Sequence, residues 1–398
     1  MNVSRIAPGL WLSFLVLGVS TVSASDGSIR PVTPNAAPEA VELLKFIDSI
    51  SGKQTLTGQH NLPNTKDAST QQAFRTYGKW PAVFGQDFGF AAPGDKDAAA
   101  ARPEIMAEVK RQYAMGSIIT LCWHAVPPTA DEPVTFRPRP RSATNAPAGG
   151  TNTPAGGTNT LGSATNLLAS VQGRLTDEQW NDVITPGTEL YKHWCSQVDV
   201  IADYLKQLQE ARVPVLWRPY HEMNGNWFWW GGRPGERGTK ALYRQLFDRL
   251  VNHHKLTNLI WIWSVDRPGV NSGGFADYFP GTNYFDIASL DVYRSDFKQD
   301  YYDALLKLAA GKPIALAEVG PAPTLNVLEL QPRWTWWMTW GGMFGGRWGA
   351  STNTNAIVTL VNSPRSWSRS DPAYVEAIAR IRAASGLPPL SPEAKPAM

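Results

Sequence analysis

Short, almost continuously apolar runs alternate along the chain with longer segments of helical periodicity. The runs are rich in Val, Ile, Leu and Trp, which is typical of strands buried on both faces of a parallel sheet. Eight such strands are predicted: Thr55–Gln59, Ala82–Asp87, Ile118–Trp123, Pro214–Pro219, Leu259–Ser264, Phe285–Leu290, Pro313–Glu318 and Trp336–Trp340.

Several segments between these strands carry the apolar stripe of an amphipathic helix. One stripe contains Val198, Ile201, Leu205 and Leu208, and Asp371-Pro372 further on is typical of a helix start. Alternating strands and helices predict an α/β fold, a (β/α)₈ TIM barrel in a single domain over residues 36–385. A doubly wound open sheet is the alternative, but no glycine-rich dinucleotide motif follows the first strand.

The N-terminus resembles an export signal. Arg5 precedes an apolar run from Leu10 to Val19, and Val22-Ser23-Ala24 resembles a cleavage site. This run is shorter than the roughly 20 apolar residues that span a bilayer. We therefore expect residues 1–24 to be a cleaved signal peptide and the protein to be secreted or periplasmic, with an uncleaved anchor as the alternative.

Three other segments fall outside the strand and helix pattern. Residues 25–35 are predicted to be an N-terminal linker, and residues 386–398 are predicted to be a loose tail. Residues 142–165 contain the heptad Pro-Ala-Gly-Gly-Thr-Asn-Thr twice in tandem. Such a composition buries little apolar area, so it predicts a low-complexity insertion in the loop after the third strand.

Composition narrows the class of protein. The 398 residues include 37 Lys+Arg and 34 Asp+Glu, a net charge of +3 that argues against nucleic acid or an anionic membrane as the partner. The two cysteines, Cys122 and Cys195, either pair or remain separate buried thiols. Seventeen tryptophans exceed what a core of this size needs. Some of them are therefore expected to line a surface for a ligand with a flat apolar face.

A tryptophan-rich segment, Trp217–Gly231, crosses the end of the fourth strand and contains Glu222. A carboxyl group among aromatic rings is partly desolvated, which raises its pKa and suits it to donate a proton near neutral pH. The alternative is a core aromatic cluster with an exposed Glu at its rim. A second carboxylate, Glu318, ends the seventh strand. A barrel places both at one mouth, where two carboxyl groups about 5 Å apart are the requirement of retaining glycoside hydrolysis.

Other strand ends supply further polar and aromatic groups. His124 and Asp87 end the third and second strands, and Trp340 ends the eighth. Tyr293, just after the sixth strand, is expected to hydrogen-bond and orient the nucleophile. Arg218 is expected to hold that nucleophile as a carboxylate through charge pairing.

The segment Arg218-Pro-Tyr-His-Glu-Met-Asn-Gly-x-Trp-Phe-Trp-Trp-Gly231 resembles the acid/base signature of glycoside hydrolase family 26, which is dominated by β-1,4-mannanases. Shorter matches occur in order at Gly58-Gln-His60, Gly85-Gln-Asp-Phe88, Cys122-Trp-His124, Asn258-Leu-Ile-Trp261, Leu290-Asp-Val-Tyr293 and Ala317-Glu-Val-Gly320. The resemblance implies a (β/α)₈ barrel, retention of configuration, Glu222 as acid/base and Glu318 as nucleophile. It also implies a substrate-binding set of His124, Arg218, His221, Trp227, Asp291, Tyr293 and Trp340.

The resulting hypothesis is an endo-acting β-1,4-mannanase, expected to be monomeric, that needs no metal or organic cofactor. Its partner would be a β-mannan-type polysaccharide. The same chemistry on β-1,3-xylan or mixed-linkage β-glucan is the main alternative, and a non-catalytic polysaccharide-binding protein is another. A zinc peptidase is suggested by His221-Glu222, but position 225 is Gly where the zinc motif needs a second His.

Overall fold

The computed structural model describes Met1 and residues 29–89, 98–136, 169–343 and 354–390. Within these ranges all eight predicted strands are present, each with ends within two residues of the prediction. Numbered with the short strands in chain order, they are β1 (Thr55–His60), β2 (Val83–Asp87), β3 (Ile118–Trp123), β6 (Val215–Pro219), β7 (Leu259–Asp266), β8 (Ile287–Val292), β9 (Ile314–Val319) and β10 (Trp334–Thr339). The short strands are β4 (Val134–Thr135), β5 (Ala169–Ser170) and β11 (Ser366–Trp367).

The eight long strands form one closed parallel barrel. Each pairs in parallel with the next, and the barrel closes where β10 pairs with β1, with Leu56 opposite Trp336. An open doubly wound sheet would leave β1 and β10 unpaired with each other. The closed pairing therefore confirms the predicted (β/α)₈ barrel.

Helices follow the strands around the barrel. They are α1 (Pro38–Ile50), α2 (Ala68–Tyr77), α3 (Ala98–Ala114), α4 (Asp177–Val183), α5 (Glu189–Glu210), α6 (Thr239–Phe247), α7 (Gln299–Ala309), α8 (Leu325–Leu330), α9 (Thr354–Val361) and α10 (Pro372–Ala384). The stripe predicted from Val198 to Leu208 is the buried face of α5. The predicted start at Asp371-Pro372 is the start of α10, with Pro372 in its first turn.

The core explains why the strand sequences are so apolar. All eight barrel strands are buried along their whole length because side chains point alternately into the barrel and toward the helices. Tryptophan fills much of this volume: ten of the tryptophans in the described ranges are fully buried, at positions 123, 194, 217, 229, 230, 261, 263, 334, 336 and 337. Most of the tryptophan excess is therefore core packing.

Several predicted segments can be compared with the structure only in part. Apart from Met1, the predicted signal peptide lies outside the described residues, as does the 142–165 repeat. The described end of the predicted linker contacts the barrel, since Val32 N donates to Asp286 Oδ1 at 2.6 Å. The first residues of the predicted tail are also attached, since Arg382 Nε donates to the Pro388 carbonyl at 2.8 Å. No helix in the described part of the chain is long and apolar enough to cross a membrane.

Candidate active site

The acid candidate lies on a tightly turned segment after β6. Tyr220 and Glu222 have φ of 47° and 50°, in the left-handed region that side-chain-bearing residues rarely adopt. Such strain is found mainly at functional sites and needs surrounding structure to hold it. Here the Gly225 N–H donates to the Glu222 carbonyl at 2.8 Å, and Trp230 Nε1 donates to the His221 carbonyl at 2.9 Å.

Glu222 is 8% exposed, and Trp227 Nε1 donates to its side-chain Oε2 at 2.6 Å. Burial raises the pKa of Glu222 well above its usual range, and the negative charges of Glu318 and Asp291 raise it further. The hydrogen bond from Trp227 opposes this rise in pKa because it favours the ionised form. A carboxyl group in this setting is favoured in its protonated form, and the Trp227 N–H is a donor that stabilises the anion once the proton leaves.

Glu318 lies on β9 and has two strong hydrogen-bond donors. Arg218 Nη2 donates to Oε1 in a short ion pair, and Tyr293 Oη donates to Oε2 at 2.8 Å. His221 Nε2 lies 3.8 Å from Oε1. The expected contacts of Arg218 and Tyr293 with the second carboxylate are thus present, and they balance its charge and fix its orientation.

The two glutamates are close together. Single carboxylate oxygens of Glu222, Asp291 and Glu318 all lie within 4.8 Å of one another. Retaining glycosidases hold their two carboxyl groups about 5–5.5 Å apart, whereas inverting enzymes need about 6.5–9.5 Å to admit a water. The spacing therefore fits the retaining arrangement.

Asp291 is a buried polar residue of the site, and its predicted contact with the sugar stays a prediction. It is fully buried, Arg218 Nη1 donates to its Oδ2 at 3.0 Å, and Ser264 Oγ donates to its Oδ1 at 3.4 Å. Burial, followed by the charge of Glu318, raises the pKa of Asp291, whereas the charge of Arg218 opposes this rise and favours the ionised form. Asp291 is thus a second counterion of Arg218, beside Glu318.

Three histidines lie beside the carboxylates. His124 forms a short hydrogen bond through Nδ1 to Asp87 Oδ2, and its ring centroid lies 4.4 Å from that of His221. Burial lowers the pKa of His221 well below its usual range and lowers that of His60 to about 3, so both rings are neutral. His60 was not among the predicted site residues, although Gly58-Gln-His60 is one of the motifs that carry the family resemblance.

Among the described tryptophans, those at the cleft differ from those in the core. Trp227 and Trp340 are half-buried, and Trp340 stacks on His60 with ring centroids 3.7 Å apart. The two glutamates and the seven predicted substrate-binding residues, nine in all, lie together at the carboxyl ends of the strands. Each of them contacts at least one other member of this set. This is the face on which TIM-barrel enzymes carry their active sites.

Two sets of three side chains within the described ranges have the spacing of metal ligands. In the Glu222, Asp291 and Glu318 set, Arg218 already balances two of the carboxylates. In the His60, Asp87 and Cys122 set, Asp87 accepts hydrogen bonds from the His124 ring and from the Gly89 N–H at 2.7 Å. Cys122 and Cys195 are both free buried thiols. That no metal is required stays a prediction.

One known protein family matches most of the chain. The model of glycosyl hydrolase family 26 matches residues 32–366. The chain belongs to glycosyl hydrolase family 26. Among family members of known structure, GH26A from Muricauda sp. MAR_2010_75 is 38% identical, with a TM-score of 0.72 over 85% of this chain and 98% of that one. The β-mannanase of a symbiotic protist of the termite Reticulitermes speratus, solved with a gluco-manno-oligosaccharide, is 25% identical with a TM-score of 0.65, over 85% of this chain and 96% of that one.

Several curated relatives of the chain are mannan endo-1,4-β-mannosidases, and one that matches over 32% of this chain is endoglucanase H of Acetivibrio thermocellus. The mannan endo-1,4-β-mannosidase of Thermothelomyces thermophilus is 33% identical over 330 residues, which are 78% of this chain and 57% of the relative. Mannan endo-1,4-β-mannosidase A of Piromyces sp. is 26% identical over 84% of this chain and 50% of its own length. The chain thus spans about half the length of the curated relatives it matches.

Proposed function

We propose that this chain is a retaining glycoside hydrolase that cleaves β-1,4-mannosidic bonds within mannan, glucomannan or galactomannan. The observation that carries the proposal is the close pair of Glu222 and Glu318, with carboxylate oxygens within 4.8 Å and opposite surroundings. Glu222 is desolvated and favoured in its protonated form, while Arg218 and Tyr293 stabilise negative charge on Glu318. Mannan as substrate is supported by the relatives that act on it.

The reaction follows from these two environments. Glu318 attacks the anomeric carbon as Glu222 passes its proton to the departing sugar oxygen, which leaves the glycosyl group esterified to Glu318. Esterification removes the negative charge of Glu318, so the pKa of Glu222 falls. Water then attacks the anomeric carbon as it loses a proton to Glu222, the bond to Glu318 breaks, and the sugar leaves with its original configuration. His124, His221, Trp227 and Trp340 form the surface on which the sugar is proposed to bind.

The test is the time course of products from linear β-1,4-mannan, galactomannan, β-1,3-xylan and mixed-linkage β-glucan. We expect mixed manno-oligosaccharides from the first minutes, because endo action cuts at internal bonds. Faster hydrolysis of xylan or β-glucan would refute the substrate assignment, and a single disaccharide from the start would refute endo action. Binding of mannan without release of reducing ends would identify a binding protein instead. The matched controls are Glu222→Ala and Glu318→Ala.

The export signal and the monomeric state are also part of the proposal. Support for export comes from the apolar run Leu10–Val19 followed by small residues. The expected mass of the protein from the medium or periplasm corresponds to a chain that begins at Ser25, and sedimentation should give the mass of a single such chain. A full-length exported chain would refute cleavage, and a dimer mass would refute the monomer.

A further inference from the structure

His60 and Trp340 meet where the barrel closes. His60 is the last residue of β1, and Trp340 directly follows β10. The register pairs Gln59 with Thr339, so the next residues along the two strands lie side by side. Their rings are parallel to within 9°, with centroids 3.7 Å apart.

The backbone of Trp340 is held independently of this stack. Its N–H donates to the Val319 carbonyl at 3.0 Å, and Gln59 Nε2 donates to the carbonyl of the preceding Thr339 at 3.0 Å. These hydrogen bonds fix the backbone of Trp340 but leave its side-chain torsions free. The stacked imidazole covers one face of the indole and restricts those torsions, since parallel rings at this distance pack closely.

The environment of His60 favours a role for the ring over a role for its nitrogens. The residue is 1% exposed, and neither Nδ1 nor Nε2 has a hydrogen-bond partner among the described residues. Its nitrogens thus contribute no hydrogen bond among the described residues, whereas the face of its ring is in close contact with Trp340. Burial also keeps the ring uncharged, as its pKa falls to about 3, and an uncharged ring does not repel the nearby Arg218 guanidinium.

We propose that His60 is a positioning residue whose flat ring fixes the indole plane of Trp340 against the sugar. The proposal rests on the proposed function, because it assumes that Trp340 contacts substrate. It adds to that function a residue on the first strand that never reaches the substrate itself. Its effect on turnover is transmitted through Trp340.

Two substitutions separate the ring from its nitrogens. His60→Phe keeps a flat ring and removes both nitrogens, whereas His60→Gln keeps hydrogen-bonding capacity and removes the ring. We expect kcat/KM to fall by about tenfold in H60Q, near the upper end of what an aromatic pair contributes, and to stay within about threefold of wild type in H60F. H253A, which removes an exposed histidine far along the chain, is the matched control and should retain wild-type activity.

The reverse order, with H60Q active and H60F impaired, would overturn the proposal and assign His60 to hydrogen bonding. Equal losses in both variants would overturn it as well. Thermal unfolding of each variant shows whether a loss of activity reflects unfolding, and H60A, which also removes the ring, replaces H60Q if that variant does not fold.

A structural measurement needs no substrate. Crystal structures of H60F and H60Q should show Trp340 in the wild-type orientation in the first and displaced in the second. An unmoved Trp340 in H60Q refutes the positioning role whatever the enzyme hydrolyses. Inactivity of the wild type on mannan, with Trp340 displaced in H60Q, refutes only the proposed function.

Discussion

Arg218 is the buried cation on which the carboxylate cluster depends, and replacing it tests the electrostatics of the site. Its side chain is fully buried and contacts both Asp291 and Glu318. Arg218→Met keeps most of the length and removes the charge. Two carboxylates whose oxygens lie within 4.8 Å of each other then remain without a cation.

The expected loss of stability in R218M can be worked out from the distances between these charges. At an effective dielectric constant of 20, each ion pair at about 4 Å is worth roughly 4 kcal/mol, and two like charges about 5 Å apart repel by roughly 3 kcal/mol. R218M no longer bears the cost of taking the Arg218 charge out of water, and this gain offsets much of the lost Coulomb energy. Breaking a buried pair by removing one partner costs about 3–5 kcal/mol in practice. We therefore expect the free energy of unfolding of R218M to fall by about 3–5 kcal/mol at pH 7.

Denaturant unfolding of R218M, D291N and the double variant measures the coupling. The double variant should lose about 1–3 kcal/mol less than the two single losses together, because the Asp291→Asn substitution removes one of the stranded charges. R249M is the matched control, since Arg249 pairs with Asp199 at 2.7 Å on the partly exposed surface and should cost about 1 kcal/mol or less. A loss in R218M no larger than that of R249M would refute the reasoning, as would strict additivity in the double variant.

Three further predictions concern the pH profile and the two hydrogen-bonded carboxylates. Trp227→Phe removes the donor to the Glu222 anion, so the alkaline limb of kcat/KM should move to higher pH and the rate should fall by about tenfold. Asp266→Asn should move that limb to lower pH, because the charge of Asp266, whose own pKa is raised by burial to about 6, helps to keep Glu222 protonated. A limb that moves in the same direction in both variants would contradict this account. Tyr293→Phe should lower kcat/KM by about 10–100-fold through loss of the bond to Glu318, and a change under threefold would refute that role.

The fold was largely predictable from the sequence because the barrel strands are buried on both faces. Runs such as Ile118–Trp123 contain almost no polar residue, and their number and spacing indicate a barrel. Parallel strands then bring their carboxyl ends to one mouth, so Glu222 and Glu318 could be paired although they lie almost 100 positions apart along the chain.

What the sequence could not show is which face of a strand a polar side chain takes and which partner it finds. Asp291 lies near the end of β8, and its pairing with the Arg218 guanidinium of β6 could not be foreseen from the sequence. His60 likewise follows an apolar strand, and its stack with Trp340 depends on the closure of β10 onto β1. Such contacts depend on register and side-chain torsions, which periodicity does not encode.

The configuration of the azide products tests the central assignment of the two glutamates most directly. With an activated aryl β-mannoside, azide should rescue Glu222→Ala by attacking the glycosyl-enzyme, and proton NMR should show the β-azide of retained configuration. In Glu318→Ala, azide should instead replace the missing nucleophile and give the α-azide. The α-azide from Glu222→Ala, or the β-azide from Glu318→Ala, would contradict the assignment of Glu318 as nucleophile and Glu222 as acid/base.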